Sequence, residues 1–298
     1  SEIAAINMVL GASSAGVRAM TSSSSPGISL KTEGISYIAG ADVPALIINV
    51  QRGGPGLGGI QPSQADYWQA TKATGHGDFQ ILVFAPSTVQ EMVDFVSLAF
   101  DLGDKYRMPA MILADGMLGQ MMEPVEFKDQ GENAKIDKPW ALTGHQFKRP
   151  HNVVNSLYLK PADLERLVKE RFERYETIKK TEQRAEEYLV DDADIVVVAY
   201  GASSRVARSA VNAARAEGIK AGLIRPITLW PFPTDALQRA AQHVKKFLAV
   251  EMSMGQMVDD VRLAIHDQKP VEFYGRTGGM IPTPAEVLGA VKKAGGVL

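Results

Sequence analysis

The stretch Ala45-Leu46-Ile47-Ile48-Asn49-Val50 decides the fold of this chain, because its apolar residues do not alternate with polar ones. Strands of that kind are buried on both faces in parallel sheets. Two further apolar runs, at 81–84 and 111–114, follow along the chain, and helical patterns at 28–41 and 87–104 alternate with the strands. This alternation predicts an α/β domain with a mainly parallel sheet.

A second unit of the same kind begins near residue 194. Its predicted strands lie at 194–200, 221–226, 247–251 and 272–274, and its predicted helices at 202–217, 233–243 and 255–266. Before it, the polar stretch 126–156 is typical of an interdomain connection, and 161–188 predicts a long charged helix. We therefore expect two parallel-sheet α/β domains, at residues 1–125 and 191–298, joined by a connecting segment at 126–190.

The composition excludes several classes of protein. The chain has 298 residues, a net charge of −2 and a pI of about 6.2, so no basic surface indicates a nucleic-acid partner. No apolar run approaches the length of a membrane helix. Cysteine is absent, which removes disulfides, thiol nucleophiles and the usual iron–sulfur ligands. We expect a cytoplasmic protein with no membrane partner.

The chain opens with a helical pattern that is apolar on nearly every side after Glu2. A helix of this kind belongs in a core or an interface. A carboxylate there needs a partner, since desolvating its charge is costly. Alternatively, Glu2 is an exposed residue that the helix dipole favours, and residue statistics alone prefer this second interpretation.

The glycine-rich stretch 54–59 matches the G-x-G-x-x-G pattern of dinucleotide-binding loops and follows a strand. Residues 60–62, however, delay the next helix, so the third glycine cannot pack inside it. The acidic residue expected after the following strand is also missing, because Phe84 leads into Ala85-Pro86. These departures argue against a nicotinamide site.

Several stretches together point to a family. They are Ala19-Met20-Thr21-Ser22-Ser23-Ser24-Ser25-Pro26-Gly27, Asn49-Val50-Gln51-Arg52-Gly53-Gly54-Pro55, and residues 59–66, 75–78, 250–257 and 276–284. With them the chain closely resembles, over essentially its whole length, the α subunit of 2-oxoacid:ferredoxin oxidoreductases. The serine-rich loop and residues 59–62 resemble the branched-chain 2-oxoacid type more than the 2-oxoglutarate type.

The resemblance implies a fold and an activity. The expected fold is a pyrimidine-binding domain of thiamine-diphosphate enzymes followed by a transketolase C-terminal-like domain. The expected reaction oxidatively decarboxylates a 2-oxoacid with coenzyme A, giving acyl-CoA, CO2 and reduced ferredoxin. The family has a strand–helix unit with a Tyr-Pro-Ile-Thr-Pro loop upstream of the position of Ser1, and we expect that N-terminal part to be missing here.

The resemblance also implies site residues. Glu2 matches the glutamate that binds a ring nitrogen of the aminopyrimidine. Arg52 matches the arginine that holds the 2-oxoacid carboxylate, a task for which a guanidinium fork is suited; the alternative is a solvent-facing surface arginine. His76 is left open between an acid–base role and a structural one. Further positions on possible active-site loops are Thr21, Ser25, Gly27, Gly53 and Gly54. We predict no metal ligands on this chain.

The cofactors and partners follow from the same resemblance. Thiamine diphosphate is expected to be shared with a β subunit that carries the pyrophosphate domain. Mg²⁺ and [4Fe-4S] clusters are expected on partner subunits, which include a γ subunit and a ferredoxin-like δ subunit, with ferredoxin and coenzyme A as reactants. The alternative is a non-catalytic structural subunit in which Glu2 only begins a helix. The sequence does not select one 2-oxoacid.

Overall fold

The computed structural model describes residues 1–127 and 136–296, and in these it contains two five-stranded sheets. The strands are β1 (Met20–Ser23), β2 (Leu46–Gln51), β3 (Leu82–Phe84), β4 (Ala110–Asp115), β5 (Ala185–Tyr188), β6 (Ile195–Val198), β7 (Ala221–Pro226), β8 (Thr228–Trp230), β9 (Lys246–Glu251) and β10 (Val271–Gly275). The helices are α1 (Glu2–Ser14), α2 (Ser25–Gly40), α3 (Tyr67–Thr71), α4 (Val89–Tyr106), α5 (Gly116–Gly119), α6 (Pro161–Thr181), α7 (Gly201–Ala216), α8 (Thr234–Ala241), α9 (Met257–Ala264) and α10 (Pro284–Gly295).

The first sheet has the strand order β1-β2-β4-β3-β8, and its first four strands are parallel. The residues of β4 and β3 are all buried, as are all but one of β2. The second sheet has the order β10-β9-β6-β7-β5, with β10, β9, β6 and β7 parallel. The predicted α/β fold with two parallel sheets is therefore confirmed.

Each sheet ends in an antiparallel strand that the sequence analysis missed. Strand β8 comes from the second half of the chain, yet it pairs with β3 of the first sheet. Strand β5 pairs with β7 in the second sheet. The predicted helix at 161–188 is wrong at its end, because α6 stops at Thr181. Residues 185–188 instead pair with β7, and a 2.8 Å ion pair between Glu186 and Arg225 supports this pairing. The tertiary contact thus outweighs the helical pattern of the charged residues.

The predicted boundaries after residues 125 and 190 stay a prediction. Strand β5 belongs to the predicted connecting segment, and β8 belongs to the predicted last domain. Residues 128–135 of the connecting segment lie outside the described residues, as do 297–298. In the described part of the chain, no helix combines the length and the apolar character needed to cross a bilayer.

Helices α1 and α2 pack closely because glycines lie between them. A Cβ at Gly34 would overlap with Cγ2 of Ile6 and lie 2.7 Å from its Cγ1. Ile6 and Val9 are buried in this contact, whereas Met8 on the other face of α1 is 74% exposed. The helix predicted to be buried thus buries one face in this chain and leaves an apolar face outward.

An ion pair joins α4, which packs on the first sheet, to β7 of the second sheet. The guanidinium of Arg225 in β7 donates to both carboxylate oxygens of Glu91 in α4, each at 2.8 Å. The backbone N–H of Ser87 donates to the same carboxylate at 2.7 Å. Burial alone would raise the pKa of Glu91, but the hydrogen bonds from Arg225 and Ser87 hold it below its ordinary value.

The first prediction concerns the glycine contact. Gly34→Ala should lower the free energy of unfolding by roughly 1–2 kcal/mol, because overpacking against Ile6 outweighs the better helix propensity of alanine. Chemical denaturation measures the change. Gly11→Ala in α1 is the matched control, since its added Cβ would meet nothing within 4 Å. A Gly34→Ala variant as stable as the control would contradict the close contact.

The second prediction concerns pH. The pKa of Glu91 is lower in the folded protein than in the unfolded chain. Its contribution to the free energy of unfolding is therefore fully present above the ordinary pKa of a glutamate and is lost as the pH falls through the pKa of the folded protein. Glu91→Gln should cost about 2 kcal/mol at pH 7 and should flatten the loss of stability between about pH 5 and pH 3. Urea unfolding across this range tests it, with the exposed Glu165→Gln as control. Parallel pH profiles for Glu91→Gln and the wild type would refute it.

Candidate functional site

The carboxyl ends of the parallel strands form the edge where the predicted site residues collect. In the first sheet Ser23 of β1 lies beside Asn49 of β2, and Gln51 lies beside Asp115 at the end of β4. Helix α2 begins directly after β1, and the glycine loop 53–61 follows β2. Ligands of α/β sheets bind beyond this edge, so the location suits a binding site.

A hydrogen-bond network ties the end of β2 to the first turn of α2. The hydroxyl of Ser25 donates to Asp66 Oδ2 at 2.6 Å, and Asn49 Nδ2 donates to the same oxygen at 2.9 Å. Asn49 Oδ1 accepts the backbone N–H of Ser25 at 3.1 Å. Ser25 Oγ also accepts the backbone N–H of Arg52 at 3.0 Å. The network therefore fixes where the main chain of Arg52 leaves the sheet.

Arg52 is half-buried at this edge. Its backbone pairs with Pro62 in an isolated bridge, so the position of the residue is set from both sides. Among residues 1–127 and 136–296, no hydrogen bond or ion pair engages its side chain. A fixed cation without a protein partner is able to bind a carboxylate in the bidentate manner. A role for Arg52 in binding a carboxylate stays a prediction, as does the surface alternative.

The carboxylate of Glu2 lies over the first turn of α2. A Cβ added to Gly27 would lie 3.2 Å from both Cγ and Oε1 of Glu2 and would collide with Ser23 Oγ. Only glycine at position 27 leaves room for this approach. The side chain is half-buried rather than solvent-facing, and the positive end of the α2 dipole favours a carboxylate at this place.

The glycine loop is closed by its own backbone. The N–H of Gly53 donates to the oxygen of Gln61, and the N–H of Gly59 donates to the oxygen of Gly53, both at 2.9 Å. Gly53 is buried against the backbone of Gly279 from the second half of the chain, whereas Gly54 is exposed. Both halves therefore shape the loop that follows Arg52.

His76 is not brought together with the other predicted residues. It is exposed, its backbone oxygen accepts a 2.7 Å hydrogen bond from Ser36, and its ring meets Tyr37 edge-on at 6.3 Å. Ser36 lies eleven residues after Ser25, or about 17 Å along α2. A role for His76 stays a prediction. Thr21 in β1 accepts a hydrogen bond from Lys31 of α2.

Two buried polar residues were missed by the sequence analysis. Lys31 is buried in α2, and its ammonium donates to Thr21 Oγ1 at 2.7 Å. Gln64 is fully buried between the sheets, where Nε2 donates to the oxygen of Tyr200 at 2.9 Å and Oε1 accepts from Ser203 at 2.7 Å. The only sequence signal for them was that Gln64 falls in a stretch that carries the family resemblance and that Lys31 follows Gly27 by one helical turn.

A further buried carboxylate, that of Glu251, lies in the second sheet. It is fully buried at the end of β9, and its carboxylate accepts the backbone N–H groups of Gln256, Met257 and Val258 at 2.9–3.0 Å. Burial raises the pKa of Glu251, although these hydrogen bonds oppose the rise. In the described ranges, with their gap at 128–135, no three His, Cys, Asp or Glu side chains are grouped to hold a metal ion.

Two family models match the chain. Residues 1–190 match the model described as "Pyruvate flavodoxin/ferredoxin oxidoreductase, thiamine diP-bdg", the last words denoting a thiamine-diphosphate-binding domain. Residues 193–287 match "Pyruvate:ferredoxin oxidoreductase core domain II". Together the two models account for most of the chain, and they follow the same order as the two sheets.

Individual relatives agree with the family models. The chain is 51% identical over 296 residues to the ketoisovalerate oxidoreductase subunit VorB of Methanothermobacter thermautotrophicus, covering 99% of this chain and 84% of the relative. It is 35% identical to the 2-oxoglutarate synthase subunit KorA of Methanothermobacter marburgensis, covering 97% and 84%. The higher identity to the ketoisovalerate relative confirms the predicted closeness to the branched-chain type.

A solved structure gives the same result. The 2-oxoglutarate:ferredoxin oxidoreductase from Magnetococcus marinus, with 2-oxoglutarate, coenzyme A and succinyl-CoA bound, superposes with a TM-score of 0.80 at 25% identity. The match covers 98% of this chain and 56% of that chain. The arrangement of the two sheets is therefore shared with an enzyme that acts on a 2-oxoacid.

Proposed function

Since this chain belongs to the pyruvate flavodoxin/ferredoxin oxidoreductase family, we propose that it is the α subunit of a 2-oxoacid:ferredoxin oxidoreductase. The complex converts a 2-oxoacid and coenzyme A to acyl-CoA and CO2 and passes the electrons to ferredoxin. One observation carries the proposal. The Glu2 carboxylate and the Arg52 main chain both lie against the first turn of α2, at Gly27 and Ser25 respectively.

The residues around Glu2 fit the aminopyrimidine of thiamine diphosphate. Gly27 lets the Glu2 carboxylate approach the first turn of α2, and half-burial reduces competition from water. When bound, thiamine diphosphate supplies the carbon nucleophile for decarboxylation of the 2-oxoacid. The task of Glu2 is to hold a proton against a ring nitrogen, for which an ionisable carboxyl group is needed.

Arg52 holds the carboxylate of the 2-oxoacid. Its guanidinium fork matches two carboxylate oxygens, and its main chain is anchored by Ser25. Ser25 in turn is held by Asp66 and Asn49, so the side chain of Arg52 extends from a main chain that is held in place. Of the positions predicted on active-site loops, Gly53 and Gly54 belong to the glycine loop, whereas Thr21 lies in β1 and Ser25 and Gly27 lie in the first turn of α2. A branched-chain substrate such as 2-oxoisovalerate is favoured over 2-oxoglutarate by the closeness to VorB.

The remaining parts of the reaction belong to partner subunits. The diphosphate and its Mg²⁺ are assigned to a β subunit, and the [4Fe-4S] clusters to further subunits of γ and δ type, since this chain has no cysteine. The domain division at residues 125 and 190 and a place in the cytoplasm are part of the same proposal. The alternative, a structural subunit, predicts that Glu2 serves only to begin α1.

The third prediction separates these alternatives. In the assembled complex Glu2→Gln should slow turnover by about 10²–10⁴-fold, because glutamine keeps the shape but has no ionisable proton to share. Ferredoxin reduction measures the rate, and circular dichroism checks that the fold is kept. The exposed Glu33→Gln in α2 is the matched control. Wild-type turnover of Glu2→Gln would favour the structural subunit.

The fourth prediction concerns Arg52. Arg52→Lys keeps the charge but loses the fork, so the KM for the 2-oxoacid should rise about tenfold or more while the KM for coenzyme A stays nearly constant. Initial rates with each substrate varied in turn give both constants. Arg262→Lys, on the surface of α9, controls for a general effect of the exchange. Equal changes in both KM values would make Arg52 a structural residue.

A further inference from the structure

The short helix α3 begins without a hydrogen bond from its own N-cap residue. Asp66 has the N-cap position, where an aspartate side chain usually accepts a backbone N–H of the first turn. In the described part of the chain it makes no such hydrogen bond. Its carboxylate instead reaches back to the first sheet, where Oδ2 accepts from Ser25 Oγ at 2.6 Å and from Asn49 Nδ2 at 2.9 Å. The usual task of this side chain is thus given up for a contact near Arg52.

A glutamine from the second half of the chain caps α3 in its place. Gln256 lies directly before α9, and its side-chain Oε1 accepts the backbone N–H of Trp68 at 2.8 Å. Its Nε2 donates to the backbone oxygen of Ala65, also at 2.8 Å. Gln256 is itself held, because its N–H donates to the buried carboxylate of Glu251 at 3.0 Å. The N–H that Asp66 would otherwise accept therefore already has a partner.

The chemistry of the groups around Asp66 fixes the direction of each hydrogen bond. A backbone N–H only donates, so Ser25 Oγ accepts from Arg52 at 3.0 Å, and Asn49 Oδ1 accepts from Ser25 at 3.1 Å. The NH2 group of Asn49 is consequently turned toward Asp66. The hydroxyl proton of Ser25 is directed to Asp66 as well, since the carboxylate at 2.6 Å is a stronger acceptor than the oxygen of Arg52 at 3.3 Å.

Asp66 cannot turn away from this contact without a cost. Ser25 and Asn49 are both buried, so their hydroxyl and amide groups would be left without an acceptor. The main chain of Asp66 is also tied to β2, because its N–H donates to Oε1 of the buried Gln51 at 3.1 Å. The carboxylate is therefore held at the end of β2, one residue from which the chain reaches Arg52.

We propose that Asp66 is a positioning residue for the 2-oxoacid: it orients the Ser25 hydroxyl that holds the main chain of Arg52, and Gln256 leaves it free to do so. This inference rests on the proposed function, in which the Arg52 side chain binds the substrate carboxylate. Bidentate binding depends on where the guanidinium lies, so a shift of the main chain weakens both of its hydrogen bonds. Asp66 acts through Arg52, and its effect should fall on the 2-oxoacid and not on coenzyme A.

The fifth prediction tests this role in the assembled complex. Asp66→Ala should raise the KM for the 2-oxoacid about tenfold and leave the KM for coenzyme A nearly constant, because Ser25 and Asn49 lose their acceptor and Arg52 loses its anchor. Asp66→Asn can place its amide oxygen at the position of Oδ2, so its KM should be close to the wild-type value. Initial rates with each substrate varied in turn give both constants.

Two further variants separate positioning from a general loosening of α3. Gln256→Ala leaves the helix without its cap and so draws the Asp66 carboxylate toward the first turn, which should raise the KM for the 2-oxoacid by about two- to fivefold. Asp260→Ala is the matched control. Asp260 is a buried aspartate whose partners, Tyr67 and Lys72, belong to α3 and its C-cap. Its variant should lower the free energy of unfolding but keep the wild-type KM.

The outcomes distinguish this inference from the proposed function. Wild-type KM values in Asp66→Ala and Gln256→Ala, together with a raised KM in Arg52→Lys, would overturn this inference alone. An Asp66→Asn variant with the defect of Asp66→Ala would also overturn it, since the charge and not the acceptor would then matter, as would a raised KM in Asp260→Ala. If Asp66→Ala does not fold, Gln256→Ala and Asp66→Asn decide. An unchanged KM in Arg52→Lys would overturn the proposed task of Arg52 and this inference with it.

Discussion

The side-chain amide of Gln64 is the interaction on which the rest of the site depends. Its Nε2 donates to the oxygen of Tyr200, and its Oε1 accepts from Ser203 and from the backbone N–H of Met252. The carboxyl ends of both sheets are thus joined through one buried group. Since a buried amide that makes three hydrogen bonds is costly to disturb, the loop that carries it is held in one conformation. Two residues later Asp66 binds Ser25 and Asn49, so the position of Arg52 is set by the junction of the two sheets.

The second constraint is the short distance between α1 and α2. Glycine at positions 27 and 34 lets the helices approach until Glu2 and Ile6 lie on the surface of α2. Lys31 lies on the same face of α2, between these two positions, and is buried. The surroundings of Glu2 therefore depend on two positions that have no side chain.

The two halves of the chain are not independent units. Strand β8 crosses from the second half into the first sheet, and the buried pair of Glu91 and Arg225 joins α4 to β7. A contact made by both halves is also present at the glycine loop, where Gly279 lies against Gly53. The relative placement of the two sheets is consequently fixed by pairing, charge and close packing together, which gives the site a rigid base.

The sequence by itself determined the α/β class, because the continuous apolar runs at β2, β3 and β4 alternate with helical patterns, as they do in a parallel sheet covered on both faces. It also located Arg52 and the loop after it, since a strand end followed by glycines is a local pattern. The tertiary structure alone decided the edge strands β5 and β8, whose short, polar or proline-flanked sequences become strands only when a partner supplies the hydrogen bonds. It likewise decided the environment of Glu2. Which helices meet determines that Glu2 is half-buried, that Lys31 is buried and that His76 lies apart from the other predicted site residues. Local residue patterns do not encode which helices meet.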